Sequence, residues 1–214
     1  MNARPVGSLL VEIQPFVIVT GKDVILLDTG LGYNNAGGKF QLHALPIMAQ
    51  IAPLYAIVVD DFNNDGNLDV AINGNDFGTE TGNGRHDALN GLLMLGDGKG
   101  NFSPQSILQS GLFIPGNGKA LIKCRSANNN YLLAASQNNG PVKIFSSRGK
   151  QKIVPLTPKG KYCIYNLKNG KKRKEEFYIG QSYLSQSASF IVLNESIVSV
   201  EVTNIKGETR IIKN

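Results

Sequence analysis

The stretch DDFNNDGNLDVAING, residues 60–74, follows the apolar run YAIVV and sets four aspartates and four asparagines within fifteen positions. A turn needs only one or two such side chains. Numbered from Asp61, oxygen-bearing residues fall at positions 1, 3, 5 and 9: Asp61, Asn63, Asp65 and Asp69. Gly66 stands at position 6, and Asn67 offers a backbone carbonyl at position 7. That alternation suits Ca²⁺, a hard cation that takes six to eight oxygens at roughly 2.3–2.6 Å. Gly66 permits the sharp turn that lets the odd positions converge. An EF-hand would add a bidentate Glu at position 12, where this chain has Ile72, and its flanks would be helical. The expectation is therefore a β-loop-β calcium site with Asp61, Asn63, Asp65, Asn67 and Asp69 as ligands. The competing reading is a metal-free Asn/Asp/Gly turn, which does not require this spacing. Asp60 lies outside the ligand set, points away from Asp61 by strand alternation, and is expected to make a backbone contact.

Outward from the loop, the chain is a series of short apolar runs rich in β-branched and aromatic residues, among them FVIVT, DVILLD, GLLMLG, KALIKC, YLLAAS, KYCIYNL and SFIVLN. Gly, Asn, Asp and Pro clusters divide them at intervals of about ten residues, the pattern of an all-β sandwich, barrel or propeller. In SIVSVEVTN, Val198, Val200 and Val202 are expected on one face and Ser199, Glu201 and Thr203 on the other. Only LHALPIMAQIA, residues 42–52, has helical character, and Pro46 interrupts it.

The segment APLYAIVVDDFNNDGNLDVAINGND, residues 52–76, resembles the FG-GAP/VCBS-type repeat, whose blades carry a DxNxDGxxD loop between β-propeller strands. GLLMLGDGKGNFSP, residues 91–104, looks like the second half of the same repeat, and YNNAGGKF, residues 33–40, like the end of a preceding one, with Phe40 matching Phe102. A third, degenerate unit spans residues 118–146 and has no calcium loop. IGQSYLSQSASFIVLNESIVSVEVTNIKGETRI, residues 179–211, resembles the small ASPIC/UnbV-type β module that follows such propellers, although the basic residue expected soon after SYLSQS is missing. The resemblance implies partial propeller blades followed by a small β-sandwich-like module. It also implies a non-enzymatic binding or adhesion role at the cell surface or otherwise outside the cytoplasm, with a protein or carbohydrate as ligand. Three partial units cannot close a ring of four to eight blades, so self-association is expected.

The domains expected are 1–32, 33–150 and 151–214. Residues 8–32, ending in LLDTGLG with Asp28, resemble the opening of a metallo-β-lactamase-fold hydrolase. That fold holds zinc through an HxHxDH motif, whereas the only histidines here are the isolated His43 and His86. An inactive descendant of such a hydrolase is the alternative reading, and no catalytic residues are assigned.

The net charge of +6 lies entirely after residue 150: residues 1–150 hold eleven basic and eleven acidic side chains, and residues 151–214 eleven and five. Its densest part, KNGKKRKEE at 168–176, has the composition of a phosphate-binding patch. It also has an NG turn between two strand-like runs and no interleaved aromatics, which favours a solvated hairpin over a nucleic-acid site. Cys124 and Cys163 are expected to be reduced structural thiols. Asp76, Glu80 and Asp87, in the polar stretch 73–87, are read as solvated, with an extension of the metal site or a second ion as the alternative. No run approaches the roughly 20 apolar residues of a membrane span, and the first residues lack the order of a signal peptide.

Overall fold

A computed structural model of the chain describes residues 16–19, 24–27, 42–82, 84–147, 149, 151–156, 160–177, 180 and 183–214. Asp28, the LLDTGLG end at 28–32, the stretch 33–40 and part of the SYLSQS segment lie outside them. The chain divides into two compact units, residues 1–45 and 46–214.

In the first unit, β1 (Phe16–Val19), β2 (Val24–Leu27) and β3 (Leu42–His43) form a three-stranded antiparallel sheet in the order β2-β1-β3. Residues 20–23, between the first two strands, lie outside those described.

The second unit is all-β, as its sequence pattern requires. The one stretch with helical character yields only a 3-10 turn, Ile47–Ala49, directly after Pro46. Four strands then form an antiparallel meander: β4 (Leu54–Asp60), β5 (Asp69–Gly74), β6 (Leu92–Gly96) and β7 (Phe102–Gln105). β4 alternates buried and half-buried residues along most of its length, whereas β5 is buried on both faces. A four-residue helix, α1 (Ile107–Ser110), follows, opened by a Ser106/Gln109 capping box and ended by the left-handed Gly111. β8 (Gly118–Arg125), β9 (Tyr131–Gln137) and β10 (Gly140–Ser146) form a second antiparallel sheet whose limits match the third expected repeat unit. β11 (Lys152–Pro155) pairs with β14 (Phe190–Leu193). β12 (Gly160–Leu167), β13 (Lys172–Glu176), β15 (Ile197–Asn204) and β16 (Thr209–Lys213) form a four-stranded antiparallel sheet in the order β13-β12-β15-β16.

Two cores meet at β14. FIVL is buried throughout, and its pleat sends alternate residues to opposite sides. Phe190 and Val192 pack with Ala56, Val58, Leu121, Tyr131 and Leu133 from β4, β8 and β9. Ile191 and Leu193 pack with Cys163, Tyr165, Ile197 and Val200 from β12 and β15. An uninterrupted apolar run is what a strand with both faces covered requires.

The alternation expected along β15 holds for Val200 and Val202 and fails at Val198, which is about half exposed. The register between β12 and β15 shifts between Asn166 and Leu167: Asn166 faces Ser199, and Leu167 faces Ile197. The extra residue is a bulge that turns Val198 outward and buries Ile197 in its place. Cys124 and Cys163 are free thiols, half-buried and buried respectively. Among the described residues no helix is long and apolar enough to cross a membrane.

Candidate metal centre

The candidate loop joins β4 to β5, whose ends are in register at Asp60 and Asp69. Two backbone positions in it are left-handed, Asn64 and Gly66, with φ of 65° and 92°. Asparagine and glycine tolerate that region best, so the tight turn expected from Gly66 is present. Asn63 Oδ1 accepts from the Asp65 N–H at 3.0 Å, and Asp65 Oδ1 accepts from the Asn67 N–H at 2.7 Å. These Asx turns wind the loop locally.

The two buried carboxylates tie its ends. Asp69 is fully buried: Oδ2 accepts from the backbone N–H groups of Phe62 (2.8 Å) and Asn63 (3.3 Å), and Oδ1 from that of Gly96 in β6 (2.9 Å). Burial pushes its carboxyl up to about 6, against the lowering effect of those three bonds. Asp61 Oδ2 accepts from the Gly66 N–H at 3.1 Å. The other oxygen, Oδ1, is buried and has no hydrogen-bond partner among the described residues.

An orphaned carboxylate oxygen inside a wound loop is the observation that tests the fit of a cation. A charged acceptor left unpaired in a buried site is destabilising, and a hard cation relieves it. Asp61 Oδ1, the Asn63 amide oxygen, Asp65, Asp69 and the Asn67 carbonyl are the oxygens this chain offers. Asn63 and Asp65 are exposed, Asn67 is half-buried, and Asp61 and Asp69 are buried. Among the described residues no three of the His, Cys, Asp and Glu side chains are gathered into a ready cage.

The GDGKG turn between β6 and β7 supports the loop from beneath. A Cβ on Gly96 would stand 2.1 Å from the Leu68 carbonyl oxygen, and one on Gly98 2.4 Å from Asn67 Oδ1. Both glycines are there because the loop lies against bare backbone.

Around the site runs a buried ionic network that sequence reasoning missed. Asp60 makes its expected backbone contact, accepting from the Asp61 N–H at 2.9 Å. It does more than that: its Oδ2 binds Lys123 Nζ at 3.3 Å and accepts from the Tyr131 hydroxyl at 3.1 Å. Burial pushes the Asp60 carboxyl up, but Lys123 and Arg173 overcome this and hold it below its ordinary value. Lys123 also pairs with Glu175, whose Oε2 accepts from the Tyr165 hydroxyl at 3.0 Å. Arg173 Nη1 lies 3.1 Å from Asp61 Oδ2 and 3.4 Å from the Gly66 carbonyl oxygen.

The hairpin expected at 168–176 is present, since β12 and β13 pair in register through Tyr165 and Arg173. It is solvated only in part. Residues 168–172 and Lys174 are exposed, whereas the Arg173 side chain is only 9 % exposed. The signal was parity: Arg173 and Glu175 face Tyr165 and Cys163, both buried, while Lys172, Lys174 and Glu176 alternate with them.

Elsewhere, Asp76 accepts from the Tyr55 hydroxyl at 3.1 Å and the Gly78 N–H at 2.9 Å, and its backbone bridges to His86. Glu80 and Asp87 are exposed. A cavity of about 560 Å³ is lined by Asn130, Ser147, Gln151, Asn194, Glu195 and Asn214, among other residues. No protein-family model matches the chain, and neither does any curated protein.

Proposed function

We propose that the chain is a calcium-stabilised, non-enzymatic binding module of FG-GAP/VCBS-like partial blades with a C-terminal β module, acting outside the cytoplasm or at the cell surface. One observation carries the calcium reading: Asp61 Oδ1, buried and unpartnered, in a loop with aspartate and asparagine at the required spacing. Calcium here is structural. It neutralises the loop's surplus of carboxylates and fixes the angle between β4 and β5. The ligand held by the module is a protein or a carbohydrate. The cavity beside Asn130, Gln151 and Asn194 presents amide donors and acceptors next to the rings and methyls of Tyr131 and Leu193 and the charged Lys152 and Glu195, a mixed lining that suits a polar molecule with some apolar surface. Among the described residues the three-stranded sheet β8–β10 leaves an open edge, which supports self-association.

Calorimetric titration with Ca²⁺, paired with melting in calcium and in chelator, tests the reading. Calcium at a hundredfold excess over Kd is expected to add about 2.7 kcal/mol. For a unit of this size that raises Tm by roughly 5–10 °C. Asp65→Ala abolishes the response and Asp87→Ala leaves it intact. An absence of heat, together with melting indifferent to chelator, overturns the calcium reading.

A further inference from the structure

Arg173 reaches the calcium loop from a strand more than a hundred residues away. Its Nη1 contacts Asp61 Oδ2 and the Gly66 carbonyl, two oxygens of one turn, and its side chain is almost wholly buried. The guanidinium carbon stands 4.6 Å from the centroid of the Tyr165 ring, a cation–π contact that helps hold the group in place. The arginine is not fully engaged, because its Nε is buried without a hydrogen-bond partner among the described residues. Asp61, on the other side of the same contact, keeps one oxygen paired and one orphaned. The pairing between loop and arginine is therefore half complete on both sides.

We infer that Arg173 is a resident counter-cation of the loop, sharing the Asp61 carboxylate with the bound metal and setting its calcium affinity. The inference rests on the calcium reading above. One physical argument and two observations support it independently of the spacing motif. First, a permanent positive charge on the first ligand of the loop repels a divalent cation brought to the same carboxylate, and burial keeps solvent from screening that repulsion. Second, Arg173 comes from β13, in the C-terminal sheet, so the contact spans the two cores. Third, the loop is fastened to that part of the chain at two further places. Asn64 Oδ1 accepts from Gln151 Nε2 at 3.0 Å and from Asn194 Nδ2 at 2.7 Å. A Cβ on Gly66 would meet Leu167 Cδ1 of β12 at 3.1 Å. The loop is thus the surface on which the C-terminal sheets dock, and Arg173 is the charged part of that contact. By linkage, calcium that draws Asp61 away from Arg173 loosens the docking of β13, and removal of Arg173 tightens calcium.

The test is a calcium titration of the full chain as wild type, Arg173→Gln and Arg173→Lys, by calorimetry at constant ionic strength. Arg173→Gln is expected to bind roughly tenfold more tightly and to melt at a lower temperature in chelator, while Arg173→Lys, which keeps the charge but loses the planar fork stacked on Tyr165, falls between it and wild type. If both wild type and Arg173→Gln bind calcium and the Gln variant binds no more tightly, this role of Arg173 is overturned and the calcium reading stands. If neither binds while both remain folded, the calcium reading itself fails, and the inference with it. Should Arg173→Gln not fold, hydrogen exchange of the Arg173 guanidinium in the wild-type protein decides. Exchange that quickens on adding calcium supports the shared carboxylate, and exchange that is unchanged overturns it.

Discussion

Asp69 is the residue on which the loop's chemistry turns. Its carboxyl sits at about 6 in the folded chain because burial disfavours the charge, against 3.8 for the unperturbed group. Between those values the folded protein holds a proton that the unfolded protein has released. Metal-free stability attributable to Asp69 therefore falls as pH rises from about 4 to about 6, and stays reduced above that window. Asp60 has the opposite sign. Its lowered carboxyl contributes stability that is present above the ordinary value and is lost as pH falls through the folded one. The carboxyl carbon of Asp69, followed by NMR in chelator, is expected to titrate near pH 6, and calcium to move that titration well below its ordinary range. A midpoint under pH 4.5 in chelator would contradict the burial argument. The ligand spacing at 61–69 was legible in the sequence, because it is local. That Asp69 is wholly enclosed and capped by Gly96 was not, since the capping group lies 27 residues away and arrives only through strand pairing.

At the scale of elements, the β6–β7 turn and the loop form one device. The glycines of GDGKG are plain in the sequence, but not that the first of them faces the Leu68 carbonyl. Gly96→Ala would push a methyl group to 2.1 Å from the Leu68 carbonyl, and backbone cannot swing aside as a side chain can. The expected effect is a loss of about 1–3 kcal/mol in urea unfolding together with weaker calcium binding. Normal stability in Gly96→Ala would show that the loop does not rest on β6. Strand positions were readable throughout this region because alternation and turn residues are written along the chain. The bulge at Val198 was not, since it depends on how β12 pairs rather than on β15 itself. For the same reason KRKEE read as a solvated charge run: which of its residues face inward is decided by the partner strand.

For the molecule as a whole, the ionic network joins sheets that composition alone would assign to separate domains. Lys123 of β8 holds Asp60 of β4 and Glu175 of β13, with two tyrosine hydroxyls completing the set. Both acidic partners pull its ammonium pKa up despite the burial. Lys123→Met leaves two carboxylates without their cation and is expected to cost about 3–5 kcal/mol. The double variant Lys123→Met/Asp60→Asn recovers part of that loss, because it removes one of the stranded charges. A double variant no more stable than the single one, in denaturant unfolding, would mean that Asp60 and Lys123 do not act as a pair.

The sheet β8–β10 ends on a strand whose Val142 and Ile144 are both more than 60 % exposed, and among the described residues none pairs with its outer side. Addition of β10 to β10 of a second copy would be two-fold and complete after two chains. Addition of β10 to the other kind of edge, β7, would be head-to-tail, a contact that repeats into a ring or, where the rotation does not close, into a filament. Pro104 within β7 lacks the amide proton that such a contact needs, so the geometry favours pairs over filaments.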